Sequence, residues 1–330
     1  MAKGCKRQLR IRTVAFGLLL AQLWTGAVDA QSPRRDPSPH QVRLITVDST
    51  VRLEVLDWGG VGRPVVFVGC YLTGHVYDNI APKLTDRFHV YAVTRRGVGA
   101  SDHPKTGYSP QRRANDILEV ITALEMQQPI RIGNSCGGDI LHTLGARDPD
   151  RIGGLMYVDA AEDPTLTLED YDWQAVDPAQ LPERVPPDAV SFPLAETRQG
   201  DQWPLEPAIR RAIVEDNRVR PEYARIRVPV VAIYRTATME QVLRERPARS
   251  EQERAAVVQV YENRRAMTVK WQTDLLAGVP RAKLVELPGA NLYMFLSNEE
   301  DVIRELRTFA SSWPTPSGPA RIGDLKGDLQ

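Results

Sequence analysis

The sequence predicts an α/β protein built on a doubly wound, mostly parallel sheet. Three observations support this prediction. Short apolar runs alternate with amphipathic helical patterns along most of the 330 residues. A Gly-x-Ser-x-Gly turn joins one of these runs directly to a helical pattern. Residues 160–227 interrupt the alternation with a stretch that is rich in proline and acidic residues.

The first half of the chain holds five predicted strands. They are apolar or alternating runs at residues 42–47, 51–56, 64–69, 89–93 and 130–132. The first two flank a polar turn and predict an antiparallel hairpin, whereas the others are apolar enough to be covered on both faces. A helix is predicted around residues 79–84. Another is predicted to begin at Ser109, with Pro110 at its first position.

The second half continues the pattern after an insertion. Strands are predicted at residues 152–158, 228–234 and 282–287. Capping boxes begin the helices after Ser250 and Ser297, each with glutamate three residues later. Residues 42–159 and 228–312 therefore form the predicted core. A flexible lead-in is predicted at 31–41, an insertion with a helix at 206–217, and a flexible tail at 313–330.

Residues 1–30 predict a secretory signal peptide. Five basic residues precede or flank an apolar stretch, and Val28-Asp29-Ala30 offers small residues for cleavage before Gln31. An uncleaved N-terminal anchor is the alternative. We expect a periplasmic or secreted mature protein with no membrane association. Lys+Arg and Asp+Glu both number 42, and no basic cluster outside the signal suggests nucleic acid.

Ser135 is the candidate nucleophile. It follows the apolar run Ile130–Ile132 within Gly133-Asn134-Ser135-Cys136-Gly137, and a helical pattern begins immediately afterwards. A nucleophile elbow needs this context, because the serine must sit on a sharp strand-to-helix turn where larger side chains would clash. The alternative is an ordinary small-residue turn of some other α/β protein.

With two further motifs, this turn resembles the α/β-hydrolase family. Arg95-Arg96-Gly97-Val98-Gly99-Ala100-Ser101 is similar to the turn after the family's fourth strand. Leu287-Pro288-Gly289-Ala290-Asn291 precedes the final helix as it does in that family. The resemblance, over about residues 42–309, implies the α/β-hydrolase fold with a cap at 160–227 between the sixth and seventh strands. It also implies serine hydrolysis of an ester or similar acyl substrate.

The triad that the resemblance implies is incomplete. The family's histidine position is occupied by Leu292, which cannot accept a proton. The usual place for the acid, residues 235–238, has no carboxylate. Some relatives carry the acid after the sixth strand, and there we prefer Asp159 to Asp163. Asp159 could equally be a turn or cap residue.

His75 is the candidate for a displaced base, because it follows the predicted oxyanion loop and Asp78 lies one turn further on. An ordinary polar residue at the mouth of the site is the alternative. The other histidines are poorer candidates. His142 in particular lies two turns beyond Ser135, roughly 10 Å along its helix.

The resemblance places the oxyanion hole at the backbone N–H of Cys136 and in the loop after Gly69. In that loop the bulky Tyr71 and Leu72 make the mouth tighter and more apolar, and Cys70 and Cys136 flank the predicted hole. Cys70 and Cys136 should therefore be neighbours, and in an oxidising compartment a disulfide could close the site. We favour two buried free thiols, because side-chain directions at an elbow diverge.

Two functions remain open. The chain is either an exported serine hydrolase with a degraded triad and weak activity, or an inactive relative that binds a small apolar ligand under the cap. Neither interpretation needs a cofactor or a metal, and the sequence contains no metal-ligand cluster.

Overall fold

The computed structural model describes residues 38–69, 72–166, 170, 174–183, 211–212 and 219–312. These residues belong to one compact unit, which spans Pro37–Gln330. The predicted signal peptide and tail lie outside the described residues. So do most of the lead-in, most of the helix predicted at 206–217, and both Cys70 and Tyr71.

The described residues form one eight-stranded sheet. Its strands are β1 (Gln41–Val47), β2 (Val51–Gly59), β3 (Arg63–Val68), β4 (Phe88–Val93), β5 (Ile130–Asn134), β6 (Gly154–Val158), β7 (Val230–Thr236) and β8 (Lys283–Pro288). The order in the sheet is β1-β2-β4-β3-β5-β6-β7-β8. β1 and β2 pair antiparallel, as do β2 and β4, and all the remaining pairs are parallel. The predicted fold class is confirmed.

The α-helices of the described residues are α1 (Pro110–Ala123), α2 (Gly138–Arg147), α3 (Met239–Glu245), α4 (Glu251–Gly278), α5 (Met294–Ser297) and α6 (Glu299–Ser311). Ser109 and Ser250 cap α1 and α4 as predicted, because each side chain accepts a hydrogen bond from a first-turn amide. The prediction for Ser297 is wrong. It ends the short α5, and its hydroxyl bonds Asn298 instead of an amide of α6.

Two further differences are local. The helix predicted around residues 79–84 is only a short 3₁₀ turn, Ala81–Leu84, and another such turn, Gly74–Tyr77, precedes it. The helix α3 was not predicted, and the Thr238 side chain caps it. The long helix α4 runs for 28 residues, and few of them are buried.

The core consists of two apolar layers, one on each face of the sheet. One face packs against α1, α2 and part of α4, through residues such as Val66, Tyr157 and Ala232. The other face packs against α5, α6 and the 3₁₀ turns, through residues such as Phe67, Met156 and Ile233. Because β3 to β8 run parallel, their carboxyl ends meet at one edge, where α/β proteins bind ligands.

Candidate active site

Ser135 lies at the carboxyl end of β5, in the middle of the sheet. Its φ is +50°, in the left-handed region that costs a non-glycine residue about 1–2 kcal/mol. Ser135 begins a 3₁₀ turn, Ser135–Gly137, which leads directly into α2. The residue therefore leaves its strand through a sharp, strained bend at the edge where the parallel strands end.

Two glycines allow this bend by close backbone approach. A Cβ atom on Gly137 would lie 2.5 Å from the carbonyl oxygen of Val68, at the end of β3. A Cβ atom on Gly138 would lie 1.8 Å from the carbonyl oxygen of Ala160, in the loop after β6. The start of α2 is thus wedged between the two strands that flank β5, and only glycine fits there.

The loop after β3 lies beside the elbow. A Cβ atom on Gly137 would also lie 3.8 Å from the carbonyl carbon of Gly69, the last described residue before the gap at 70–71. The turn that carries Cys136 therefore lies next to the start of the loop where the family resemblance placed a second donor. Cys70 and Tyr71 themselves lie outside the described residues.

Cys136 is disulfide-bonded. The expectation of two buried free thiols is therefore wrong for this residue. The chain has only two other cysteines, Cys5 and Cys70. Arg95 reaches the same sulfur, with its Nη1 3.8 Å from Cys136 Sγ. A buried guanidinium and a covalent cross-link thus both lie directly next to the elbow.

Asp159 is the first residue after β6, and Arg235 in β7 is its partner. Arg235 Nε donates to Asp159 Oδ2 at 2.5 Å, and the backbone N of Arg235 is 3.4 Å from Oδ1. Burial raises the pKa of Asp159, and the charge and hydrogen bonds of Arg235 oppose that rise. The carboxylate preferred as the triad acid is thus bound by an arginine.

Leu292 lies in the loop after β8 and is held beside the elbow strand. The side-chain amide of Asn134, one residue before Ser135, donates to the carbonyl oxygen of Leu292 at 3.0 Å. The same amide donates to the carbonyl oxygen of Val158 at 2.9 Å. One side chain therefore joins the end of β5 to β6 and to the loop that carries Leu292.

Asp163, the other candidate acid, is engaged in a local turn. Its Oδ1 accepts hydrogen bonds from the backbone N and the hydroxyl of Thr165, at 2.9 and 2.6 Å. Its Oδ2 lies 3.6 Å from Arg220. These contacts are those of a turn aspartate.

His75 pairs with Asp78 as the sequence suggested, with 3.2 Å between Nδ1 and Oδ2. Its ring lies 5.2 Å from that of His40, which in turn packs against Trp58 of β2. In the sheet order β2 is three strands from β5, or about 14 Å at the usual strand spacing. These contacts are with residues packed beside β2, and among the described residues no hydrogen bond joins His75 to Ser135.

His142 lies within the core, below the elbow. Burial lowers its pKa to about 3, so the ring is neutral, and its Nδ1 is 3.3 Å from the Tyr157 hydroxyl. It packs against Tyr157 and Tyr223. These contacts give it a structural role.

Two further acids share the edge with Asp159. Burial raises the pKa of Glu162 to about 7, and the charges of Asp159 and Asp139 raise it further while Arg235 opposes them. Burial likewise raises the pKa of Asp139 to about 6, against the charges of Arg113 and Arg95. The edge beside Ser135 therefore carries several acids whose ionisation is suppressed.

A cavity of about 570 Å³ runs along α2, and Ser135 is not among the residues that line it. Asp139, His142 and Thr143 line one side, and the segment from Val219 to Glu222 lines the other. Among the described residues no group of three or more His, Cys, Asp or Glu side chains is arranged to hold a metal ion. No described helix is both long and apolar enough to cross a membrane.

Sequence reasoning missed Arg235 and Asn134. The only signal for Arg235 was its position, because an arginine begins the stretch where the family carries its acid. For Asn134 the only signal was its position, because a polar amide directly precedes the candidate nucleophile Ser135. Both partners, Asp159 and the Leu292 carbonyl, are distant in sequence.

Comparison with known proteins supports the fold. Residues 63–192 match the family model described as alpha/beta hydrolase fold. The chain is 32% identical over 109 residues to a 2-(acetamidomethylene)succinate hydrolase of Mesorhizobium japonicum, a match covering 33% of this chain. It is 32% identical over 120 residues to a non-heme chloroperoxidase of Streptomyces lividans, a match covering 35% of this chain. The matches span only 39% and 44% of these relatives' lengths.

Similarity to a solved structure extends over more of the chain. The crystal structure of E-2-(acetamidomethylene)succinate hydrolase matches with a TM-score of 0.58 at 19% identity, covering 83% of this chain and 100% of that chain. At this identity the likeness shows the fold alone. The chain therefore has the α/β-hydrolase fold, and residues 63–192 carry the sequence signature of the α/β-hydrolase family.

Proposed function

We propose that the protein is an exported serine hydrolase of weak activity that acts on a small ester or similar acyl substrate through Ser135. The observation that carries the proposal is the elbow. Ser135 has a φ of +50° at the carboxyl edge, on a turn where only glycine fits at positions 137 and 138. A strained turn persists only where its surroundings hold it, and such turns cluster at functional sites.

Weak activity follows from the missing base. By resemblance Leu292 occupies the histidine position, and the hydrogen bond from Asn134 to the Leu292 carbonyl oxygen, which ties this loop to the elbow strand, supports that assignment. Loss of the base typically lowers kcat by about 10⁶, and the oxyanion hole and substrate binding supply what catalysis remains. The names of the relatives, hydrolases and a haloperoxidase, support hydrolase-like chemistry.

Export is part of the proposal, and the predicted signal sequence in residues 1–30 supports it. A disulfide at Cys136 supports it further, because disulfides persist in oxidising compartments and are rare in the cytosol. The proposed cap comprises residues 160–227, as the break in strand-helix alternation suggests.

The second candidate function is ligand binding without turnover, with a small apolar ligand held under the cap. The specific observation in its favour is the Asp159–Arg235 pair, which leaves the preferred acid bound to a residue that cannot act as a base. Leu292 and the surrounding apolar residues would suit such a ligand.

A fluorophosphonate probe together with p-nitrophenyl acetate hydrolysis separates the two candidates. We expect slow labelling and slow hydrolysis by the unmodified protein, both lost in Ser135→Ala. Rates equal to those of Ser135→Ala would support ligand binding without turnover. Labelling as fast as that of an intact serine hydrolase would contradict the degraded triad.

A further inference from the structure

We propose that Arg235 binds the Asp159 carboxylate where the histidine of a triad would bind it. Ser135 is therefore inactivated in two independent ways. Leu292 removes the base, and Arg235 separately occupies the acid. This inference rests on the proposed function, in which Ser135 is the nucleophile of a triad that has lost its base.

Arg235 makes two hydrogen bonds to Asp159, and the arginine is much more exposed than the carboxylate. Arg235 supplies both its Nε and its backbone N to the carboxylate of Asp159, one to each oxygen. The Asp159 side chain is only 8% exposed, whereas that of Arg235 is 46% exposed. The arginine therefore lies over the acid on its solvent side. Such charge-assisted pairs are about twice as strong as neutral hydrogen bonds.

The pair has a direct consequence for any imidazole placed nearby. A triad acid accepts the N–H of the histidine, fixes its tautomer and stabilises the imidazolium that forms. Here both oxygens of Asp159 already accept from Arg235. The guanidinium charge beside them would also oppose an imidazolium. An imidazole at position 292 would thus compete with Arg235 for the Asp159 carboxylate, whose oxygens each keep a second lone pair.

The backbone brings position 292 to this pair. The amide of Gly289, in the loop after β8, donates to the carbonyl oxygen of Thr236, the residue after Arg235. The amide of Asp159 donates to the carbonyl oxygen of Ile233 in the same strand. Together with the Asn134–Leu292 bond, these contacts place Asp159, Arg235 and the 292 loop along one edge.

Labelling kinetics with the fluorophosphonate probe test the inference. The variants are Leu292→His, Arg235→Gln, the double variant with both changes, and a triple variant that adds Asp159→Asn. Arg235→Gln alone is the reference for removal of the guanidinium where no imidazole is present. Leu292→His should label faster than wild type, and the double variant at least about 10-fold faster still, since loss of the acid alone costs about 10⁴ in such triads.

The triple variant is the matched control, and it should return to about the rate of Leu292→His. A second readout is the pKa of the introduced imidazole, measured by NMR titration. We expect that pKa to be higher in the double variant than in Leu292→His, and to lose most of the increase when Asp159→Asn is added. If the double variant does not fold, the Leu292→His/Arg235→Lys pair replaces it, and an intermediate rate is expected.

Equal rates and equal imidazole pKa values in Leu292→His and the double variant would overturn the inference and leave the proposed function intact. A triple variant that matches the double variant in both readouts would also overturn it. An imidazole pKa that rises through Asp159 without any labelling of Ser135 would support the hold of Arg235 on Asp159, but it would overturn both the silencing of Ser135 and the proposed function.

Discussion

Ser135 and Asp159 are the first residues after two neighbouring parallel strands, and both leave their strand with a φ of +50°. The last paired residues of β5 and β6 are Asn134 and Val158, so Ser135 and Asp159 stand next in register. Neighbouring strands lie about 4.8 Å apart. The proposed nucleophile and the proposed acid thus occupy two strained bends that lie side by side at this edge.

The strain at Ser135 predicts an unusual order of stabilities. Ser135→Ala and Ser135→Gly both remove the hydroxyl, but only glycine adopts a φ of +50° without a steric penalty. We expect Ser135→Gly to be more stable than Ser135→Ala by about 1 kcal/mol. Urea denaturation of the two variants measures this difference. Equal midpoints would show that the bend is not strained.

The close approach at α2 predicts a severe effect of one methyl group. In Gly138→Ala the new Cβ would meet the Ala160 carbonyl oxygen, so we expect a loss of about 3 kcal/mol or more. Gly59→Ala is the control for added bulk without a clash. Gly59 has a positive φ, +70°, but no atom lies within 4 Å of the place where its Cβ would stand. There we expect a loss of only about 1 kcal/mol, and similar losses would contradict the wedged helix start.

Glu162 predicts a pH dependence of stability. Burial raises its folded-state pKa to about 7, above the usual 4.5. The folded state therefore binds more protons than the unfolded state between these values, and this residue's contribution to stability falls as pH rises from 4.5 to 7. Glu162→Gln should be more stable than wild type above pH 7 by on the order of 1–3 kcal/mol.

The measurement is urea denaturation of both proteins at pH 5 and pH 8. We expect the advantage of Glu162→Gln to be larger at pH 8 than at pH 5. The same difference at both pH values would show that Glu162 ionises normally in the folded protein.

The disulfide at Cys136 predicts a thiol count. Because Gly69 lies beside Gly137, we expect the partner to be Cys70 and not Cys5. A chain that begins at Gln31 should then show no reactive thiol when denatured without reductant. Two thiols become reactive after reduction. Two reactive thiols before reduction, or a Cys5–Cys136 peptide in the full chain, would contradict this pairing.

Much of the fold and part of the site could be predicted from sequence alone, because they depend on local chemistry. Apolar periodicity indicated the strands and helices, and the caps at Ser109 and Ser250 follow from side chains that reach amides three residues away. The capping box at Ser297 is the exception, since neighbouring turns competed for the same hydroxyl.

Only the tertiary structure decided what surrounds Ser135. Arg235 and Asp159 are 76 residues apart, and Asn134 and Leu292 are 158 apart. Such pairs meet through strand order and register, which a single sequence does not specify. The sequence by itself indicated the sharp turn at Ser135 and predicted that Leu292 stands where the family carries its base, because both inferences depend on residue identity. Which side chain binds the acid, and whether Cys136 is oxidised, depended on which strands became neighbours.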